Sequence, residues 1–295
     1  MLSKTSSVML APIASFPDHA LERRLDSSCY DSIRAVAHQL DFSAGRIPET
    51  GELNRLAQQT RANAQSGYAI RFTPQNAGPS AQSYETQIFA SGNVPTRPNV
   101  IHDLFNALVW LTFPASKAAI NARHIAARDI QNDTGNRGPV QDALTLFDEC
   151  GVIVVSDQPD LLGLIETFQW KELFWQRRAA VQQQMKFFLF GHGLMEQMLT
   201  PYVGLVGKAL LIHVETAWLE ANGPRPPRID VLLQHIDARI GALLASPASL
   251  SRGQALAPLP VLGIPGWSAE NESERYYDNA QYFRPGRRSR TVRKR

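Results

Sequence analysis

The sequence predicts an α+β fold that is predominantly helical and contains a small sheet of about three strands. Apolar residues recur at helical spacing along most of the chain, which is typical of amphipathic helices. Three short runs are rich in aromatic and β-branched residues and are bounded by turn-forming residues, as β-strands are. With 44% hydrophobic and 19% charged residues, the chain can bury a sizeable core and lacks the composition of a disordered protein.

In the first part of the chain, helices are predicted at 28–41 and at 50–60, where Thr50 is a candidate N-cap. Strands are predicted at 68–72 and 84–89, because a segment rich in Pro, Asn, Gly and Ser separates two aromatic runs. We expect these two strands to pair. The run Gly151-Val-Ile-Val-Val-Ser156 predicts the third strand.

Pro114 separates two helices predicted at about 100–112 and 115–130. After the third strand, helical spacing continues, and it predicts helices at 159–168, 170–184, 187–199, 203–221 and 229–245. From 246 to 268, Pro, Ser and Gly indicate an extended segment packed on the body of the protein.

Three parts are expected in the chain: a flexible N-terminus at 1–20, a single globular domain at 21–285 and a basic disordered tail at 286–295. The net charge is +3, and basic residues crowd the C-terminus, where they can contact nucleic acid or remain a solvated tail. Two cysteines are too few for a disulfide scaffold, and the apolar runs are too short to span a bilayer. We therefore expect a cytoplasmic protein without a signal peptide or a membrane segment, and the sequence does not determine its oligomeric state.

Several motifs resemble a known family. Gly92-Asn-Val-Pro-Thr-Arg97 precedes His102-Asp-Leu-Phe-Asn-Ala-Leu-Val-Trp-Leu-Thr-Phe-Pro114, and Arg137-Gly-Pro139 precedes Asp142-Ala-Leu-Thr-Leu-Phe-Asp-Glu149. The remaining matches are Lys117, Asn121, Trp170, Phe190-Gly-His192 with Glu196, Tyr277-Asp278 and Phe283-Arg-Pro285. Together they resemble the bacterial domain-of-unknown-function family 3025 over roughly residues 68–285. The resemblance implies no reaction and no cofactor.

The helix pair around Pro114 carries the strongest candidates for a functional site. His102, Asp103 and Asn106 lie on the first helix, and Lys117 and Asn121 lie on the second. If the two helices pack as a hairpin, these side chains converge in a polar cleft. An imidazole beside a carboxylate can act as a base near neutral pH, and a desolvated Lys can hold an anion.

These residues predict a site that binds a small anionic or phosphorylated ligand and hydrolyses it or transfers a group from it. His102 is the expected base and Asp103 its orienter, while Lys117 or Arg97 holds the anion. Arg97 and His192 are expected to close the cleft, and Arg137, like Arg97, lies in a turn-rich loop from which its guanidinium can hold a phosphate or a carboxylate.

Other interpretations of the same residues remain open. The cleft residues can form a purely structural hydrogen-bonded network, with Asp103 favoured by the dipole of its helix. The doublet His102-Asp103 can bind a metal with further ligands, for which the candidates are His124, Asp129, Asp142, Asp148 and His192. His192 and Glu196, four residues apart, can also share one metal ion. A non-enzymatic interaction protein that uses its basic tail is the alternative to an enzyme.

Overall fold

The structure is a computed structural model, and it describes residues 20–75, 81–130, 138–217, 229–246, 249–250 and 256–286. The described helices are Ala20–Leu25 (α1), Asp31–Ala37 (α2), Thr50–Thr60 (α3), Ala81–Ser91 (α4), Ile101–Thr112 (α5), Pro114–Ile130 (α6), Pro139–Cys150 (α7), Pro159–Glu166 (α8), Arg178–Gln184 (α9), His192–Gln197 (α10) and Ile229–Ala245 (α11). A π-helical turn at Glu172–Gln176 precedes α9. The predicted α+β class with mostly helices is confirmed.

The described strands form two sheets. They are Arg71–Pro74 (β1), Asn93–Thr96 (β2), Gly151–Ser156 (β3), Met185–Leu189 (β4), Val206–His213 (β5) and Ala257–Pro260 (β6). β1 and β2 pair in parallel, and the larger sheet has the order β4-β3-β5-β6, with β3 and β5 parallel and both edge strands antiparallel to their neighbours. Every residue of β3 is buried, as expected for a central strand covered on both faces.

Two predicted strands are placed differently in the structure. Residues 84–89 lie in α4, so the prediction of a strand there was wrong. Ala, Gln and Glu favour a helix in this segment, and helical spacing puts Tyr84 on the same side as the buried Ile88. The strand predicted at 68–72 is shifted to Arg71–Pro74, and its partner is Asn93–Thr96.

Two predicted helices contain strands. The segment 203–221 was predicted to be helical but holds β5, and the segment 187–199 is divided into the end of β4 and α10. Both segments contain a short, continuous apolar run. Such a run fits a buried strand and a buried helix equally, so the spacing of its apolar residues does not distinguish the two. α7 is a helix that the sequence analysis did not assign.

The helices at 50–60, 100–112, 115–130, 159–168 and 229–245 are confirmed within one or two residues at each end. Among the residues described, no helix is both long and apolar enough to cross a bilayer. The N-terminus, Arg137 and the tail from residue 287 onward lie outside the described ranges.

α11 fixes where α6 begins. The carboxylate of Asp237 on α11 accepts hydrogen bonds from the backbone N–H groups of Ala115 (2.9 Å) and Ser116 (2.8 Å). A carboxylate at this position satisfies first-turn donors and complements the positive end of the helix dipole. The next residue, Lys117, is thereby held at the base of the cleft described below.

Candidate functional site

Two histidines and one glutamate from three helices meet in the structure. His102 lies in the first turn of α5, Glu149 near the end of α7, and His192 at the start of α10. One potential ligand atom from each of the three lies within 4.8 Å of the others. The Oε1 atom of Glu149 is 3.4 Å from Nε2 of His192 and 3.9 Å from Nε2 of His102. We call these three residues the His-Glu-His cluster.

Each imidazole of the cluster has a second carboxylate near its other nitrogen. Nδ1 of His102 is hydrogen-bonded to Oε2 of Glu196 at 2.9 Å. Nδ1 of His192 lies 3.9 Å from Oδ2 of Asp148, which is too long for a hydrogen bond. His192 is only 6% exposed, and this Nδ1 atom has no hydrogen-bond partner in the described structure. A buried polar atom left unpaired in this way is costly, and the acceptor nearest to it in the structure is the Asp148 carboxylate.

Two glycines beside His192 allow α7 and α10 to pack closely enough to form the cluster. Phe190 and Gly191 both donate backbone hydrogen bonds to the carbonyl of Gly151, at 3.0 and 2.9 Å, and so hold the start of α10 against the end of α7. A Cβ atom at Gly191 would collide with backbone atoms of residues 149–151, and one at Gly193 would collide with the Glu149 carboxylate. Gly191 is therefore required for this close approach, and Gly193 leaves room for the Glu149 carboxylate.

The cluster favours charged carboxylates and a proton on His102. Burial lowers the pKa of His102, but its hydrogen bond with Glu196 and the negative charges of Glu149 and Glu196 outweigh this, so the pKa is raised above its ordinary value. Burial alone would raise the pKa of Glu149, but the neighbouring histidines lower it overall. The result is a concentration of negative charge beside imidazoles, which suits a bound cation.

A second, connected network lies on the floor of the same cleft. The buried Lys117 ammonium donates hydrogen bonds to Oδ1 of Asp148 at 2.5 Å and to Oδ1 of Asn106 at 2.9 Å. Asn106 then donates through Nδ2 to the hydroxyl oxygen of Tyr84 on α4 at 2.7 Å. Burial would raise the pKa of Asp148, but the charge of Lys117 lowers it overall, so the pair is ionic.

Asp103 does not orient His102, contrary to the sequence prediction. Its carboxylate accepts hydrogen bonds from the backbone N–H of Arg97 (2.7 Å) and from Nε (3.0 Å) and Nη2 (2.6 Å) of the same guanidinium. Adjacent residues of a helix point in different directions, so His102 and Asp103 face different partners. The carboxylate that orients His102 is Glu196.

The structure brings together most of the residues predicted for the site. A cleft of about 300 Å³ has in its lining Tyr84, Arg97, His102, Asp103, Asn106, Asp148, Glu149 and His192. Lys117 lies beneath it through its bond to Asn106. Asn121 is directed away, donating to the backbone and side chain of Glu85, whose side chain also borders the cleft. Arg137 lies outside the described residues, so its predicted role stays a prediction.

Three residues of this arrangement were missed in the sequence or were given another role. Glu149 appeared in the sequence analysis only as the last residue of the Asp142–Glu149 motif, Tyr84 was assigned to a strand, and Glu196 was paired with His192 rather than with His102. The spacing within α10 does bring His192 and Glu196 near the cleft together, but the signal for Glu149 exists only in the packing of α7 against α10.

Comparison with known proteins identifies a family and little else. A family model described as a protein of unknown function, DUF3025, matches residues 70–287 of the chain. No curated protein and no solved structure matches it. The matched range contains all three residues of the His-Glu-His cluster together with Tyr84, Arg97 and Lys117.

Proposed function

The chain belongs to the DUF3025 family, and we propose that its cleft binds a divalent transition-metal ion and hydrolyses, or transfers a group from, a small anionic ligand. The His-Glu-His cluster holds the metal in this proposal. His102 is then a metal ligand rather than a free base, and Glu196 orients its ring.

One observation carries the proposal: both imidazoles turn Nε2 toward the same carboxylate oxygen and Nδ1 toward a further carboxylate. Metal-binding histidines commonly place their second ring nitrogen next to a carboxylate, which fixes the tautomer and raises the basicity of the ligand. Ligand atoms bound to one zinc ion at about 2.1 Å in tetrahedral geometry lie about 3.4 Å apart. The observed separations from Glu149 therefore require only a small adjustment of side chains.

The ligand types favour a particular group of metals. Two imidazole nitrogens and one carboxylate suit zinc or ferrous iron, whereas calcium and magnesium prefer shells made of oxygen atoms. Three protein ligands leave at least one coordination position open, as catalytic zinc sites do and closed structural sites do not. His102 and Glu149 are half-buried at the cleft, so an open position would face its interior.

The charges around the cleft support an anionic ligand only if a metal is bound. Asp103, Asp148, Glu149 and Glu196 outnumber the cations Arg97, Lys117 and protonated His102, each of which is paired with a carboxylate. A bare anion would be repelled by this excess. A divalent ion at the cluster would offset it, and the guanidinium of Arg97, partly exposed and bonded to Asp103 only through its Nε and Nη2 groups, retains Nη1 for an anionic oxygen.

The residues around the cluster have separate tasks in this proposal. A bound metal would supply Lewis acidity and lower the pKa of water. Glu196 holds the His102 ring, and Lys117 neutralises Asp148 behind His192. The cavity volume of about 300 Å³ limits the ligand to a small molecule or to one group of a larger one.

Zinc titration of the chelator-treated protein, followed by calorimetry and metal analysis, tests the proposal. The wild type is expected to bind one zinc ion per chain, and His102→Ala and His192→Ala are expected to lose that binding while remaining folded. The control is His213→Ala, which removes an exposed imidazole at the end of β5. Zinc-dependent release of nitrophenol from p-nitrophenyl phosphate or its diester would support hydrolysis. Equal zinc binding by the wild type and both cluster variants would refute the metal site.

A further inference from the structure

Tyr84 lies in the wall of the cleft, although nothing in its sequence context indicates a role in chemistry. It is half-buried in the first half of α4, and its side chain borders the same cavity as Arg97 and the His-Glu-His cluster. Its hydroxyl oxygen is bonded to Asn106, which links it to Lys117 and Asp148. The direction of these hydrogen bonds determines what Tyr84 can do.

Lys117, at the buried end of the chain of hydrogen bonds, fixes the direction of every bond in it. A lysine ammonium has three donors and no acceptor, so the atom of Asn106 that it contacts at 2.9 Å must be the amide oxygen. The amide nitrogen of Asn106 therefore points at Tyr84, and it can only donate. At 2.7 Å the Tyr84 oxygen is consequently the acceptor of that bond, and its own proton is directed elsewhere.

The hydroxyl proton of Tyr84 is available to a ligand. Among the residues that the structure describes, the Tyr84 hydroxyl takes part only in the bond from Asn106. Burial, followed by the negative charges of Glu85 and Asp148, raises the pKa of Tyr84 well above its ordinary value, so the phenol keeps its proton at neutral pH. A protonated phenol whose oxygen already accepts a hydrogen bond becomes a stronger donor, because bonds in a chain polarise one another.

We infer that Tyr84 donates a hydrogen bond to an anionic oxygen of the ligand, and that the chain Lys117–Asn106–Tyr84 exists to orient this donor. The inference rests on the proposed function and deepens it. A ligand that meets the metal, Arg97 and the Tyr84 hydroxyl must present several acceptor oxygens, as a phosphate group does. The Tyr84 hydroxyl thus adds to a phosphate or a similar oxyanion a hydrogen bond that is stronger than the one a neutral acceptor would receive.

The first test compares inorganic phosphate binding to zinc-loaded wild type and Tyr84→Phe by calorimetry. The variant removes one hydroxyl and keeps the ring, and hydrogen bonds to charged groups are worth roughly 10- to 100-fold in affinity. We expect phosphate affinity to fall by at least about tenfold while zinc affinity stays unchanged. Tyr68→Phe is the matched control, since Tyr68 is exposed.

The second test reverses the orienting bond. In Asn106→Asp a carboxylate oxygen would accept the Tyr84 proton and take the donor away from the ligand. Adding Tyr84→Phe to Asn106→Asp is then expected to cause no further loss of phosphate affinity, whereas independent effects would add. The Asn106→Asp variant and the double variant both carry the extra negative charge. Its effect on phosphate affinity therefore cancels when these two proteins are compared.

The outcomes separate the two proposals. A wild type that binds no zinc overturns the proposed function and this inference with it. Zinc binding without measurable phosphate binding, or equal phosphate affinities for wild type and Tyr84→Phe, overturns the role of Tyr84 and leaves the metal site standing. Additive losses in the double variant overturn the orienting role of Asn106.

Discussion

The cleft and a group of side chains around Asn271 in the C-terminal segment both contain buried polar atoms, but the two networks differ in how completely those atoms are bonded. In the C-terminal segment, Asn271 is fully buried and donates to the carbonyls of Leu262 (2.8 Å) and Ile264 (2.7 Å). Its amide oxygen accepts from Arg178, which also bonds to Tyr277. We call Arg178, Asn271 and Tyr277 the C-terminal network.

In the cleft, by contrast, bonding is incomplete. Nδ1 of the buried His192 has no hydrogen-bond partner among the residues described, and Tyr84 has a proton that no bond in the described structure uses. A network that satisfies its own groups stabilises the fold, whereas a donor left unpaired beside a cavity, such as the Tyr84 hydroxyl, is typical of a site completed by a ligand. Burial alone does not separate the cleft from the C-terminal network, and hydrogen-bond satisfaction does.

The largest expected effect concerns a cluster ligand. Glu149→Gln keeps the shape of the side chain and removes its charge, so zinc affinity should fall by roughly two orders of magnitude or more, beyond the loss typical of an outer-shell residue. The zinc-induced rise in melting temperature should disappear with it. Isothermal titration and thermal unfolding measure both, with Glu166→Gln at an exposed position as the control. A variant that binds zinc as tightly as the wild type would remove Glu149 from the site.

The C-terminal network should respond in the opposite way. Asn271→Ala leaves two buried carbonyls without their donor and removes one acceptor from Arg178, and we expect it to lower the free energy of unfolding by roughly 3 kcal/mol. Zinc affinity of the folded protein should not change. Urea unfolding measures the first and calorimetry the second, with the exposed Asn63→Ala expected within about 0.5 kcal/mol of wild type. A loss of zinc affinity in folded Asn271→Ala would mean that the two regions are coupled.

A smaller effect on zinc affinity is expected from Glu196, which contacts His102 on the side away from Glu149. Glu196→Gln removes the carboxylate that holds the His102 ring, and zinc affinity should fall roughly tenfold, as for other outer-shell changes. Asp26→Asn is a matched control, because it removes a carboxylate at the same distance, 2.9 Å, from the exposed His38. Zinc affinity unchanged by Glu196→Gln would show that this carboxylate does not support the site.

Glu196→Gln should also shift the pH dependence of zinc affinity. Zinc needs the neutral imidazole, so the affinity of the wild type should decline as pH falls through the raised pKa of His102. Without the Glu196 charge that pKa is lower, and the decline should move to lower pH. The stability of the metal-free protein should depend on pH in the opposite direction. Because folding raises the pKa of His102, protonated His102 stabilises the fold fully below its pKa in the unfolded chain, and this stability is lost as pH rises through its pKa in the folded protein. Glu196→Gln should lose that acid-side stability.

Local pattern was sufficient to predict one half of the site. The apolar faces of α5 and α6 and the break at Pro114 predict the helix pair, and with it the positions of His102, Asn106 and Lys117. These features depend on residues close in sequence. The pairing of His102 with Asp103 failed because adjacent residues on a helix do not face each other, although they are neighbours in the sequence.

The other half of the site depends on tertiary packing. Glu149 and His192 meet because the β3–β4 pairing and the Gly151 carbonyl bring the end of α7 to the start of α10. The segment 187–190 has an apolar run that fits a strand and a helix equally, so neither this pairing nor the turn at Gly191 was predictable from spacing. The role of Tyr84 was not predicted for a related reason. The aromatic residues around it favour a strand by composition, whereas the structure has a helix there.

The smallest expected effect comes from the glycine that admits Glu149. A Cβ atom at Gly193 would collide with the Glu149 carboxylate, which is the mobile end of a side chain and can move away, and it would crowd the backbone carbonyl oxygen of Glu149 at 3.1 Å. Gly193→Ala should therefore lower zinc affinity by several-fold to about tenfold while stability changes by less than about 1 kcal/mol, because alanine also favours the helix. Gly163→Ala in α8 is the control, since a Cβ there meets nothing within 4 Å. A large loss of stability with zinc affinity intact would place Gly193 with the packing residues, because the added methyl group would then be opposed by the backbone of Glu149 rather than by its carboxylate.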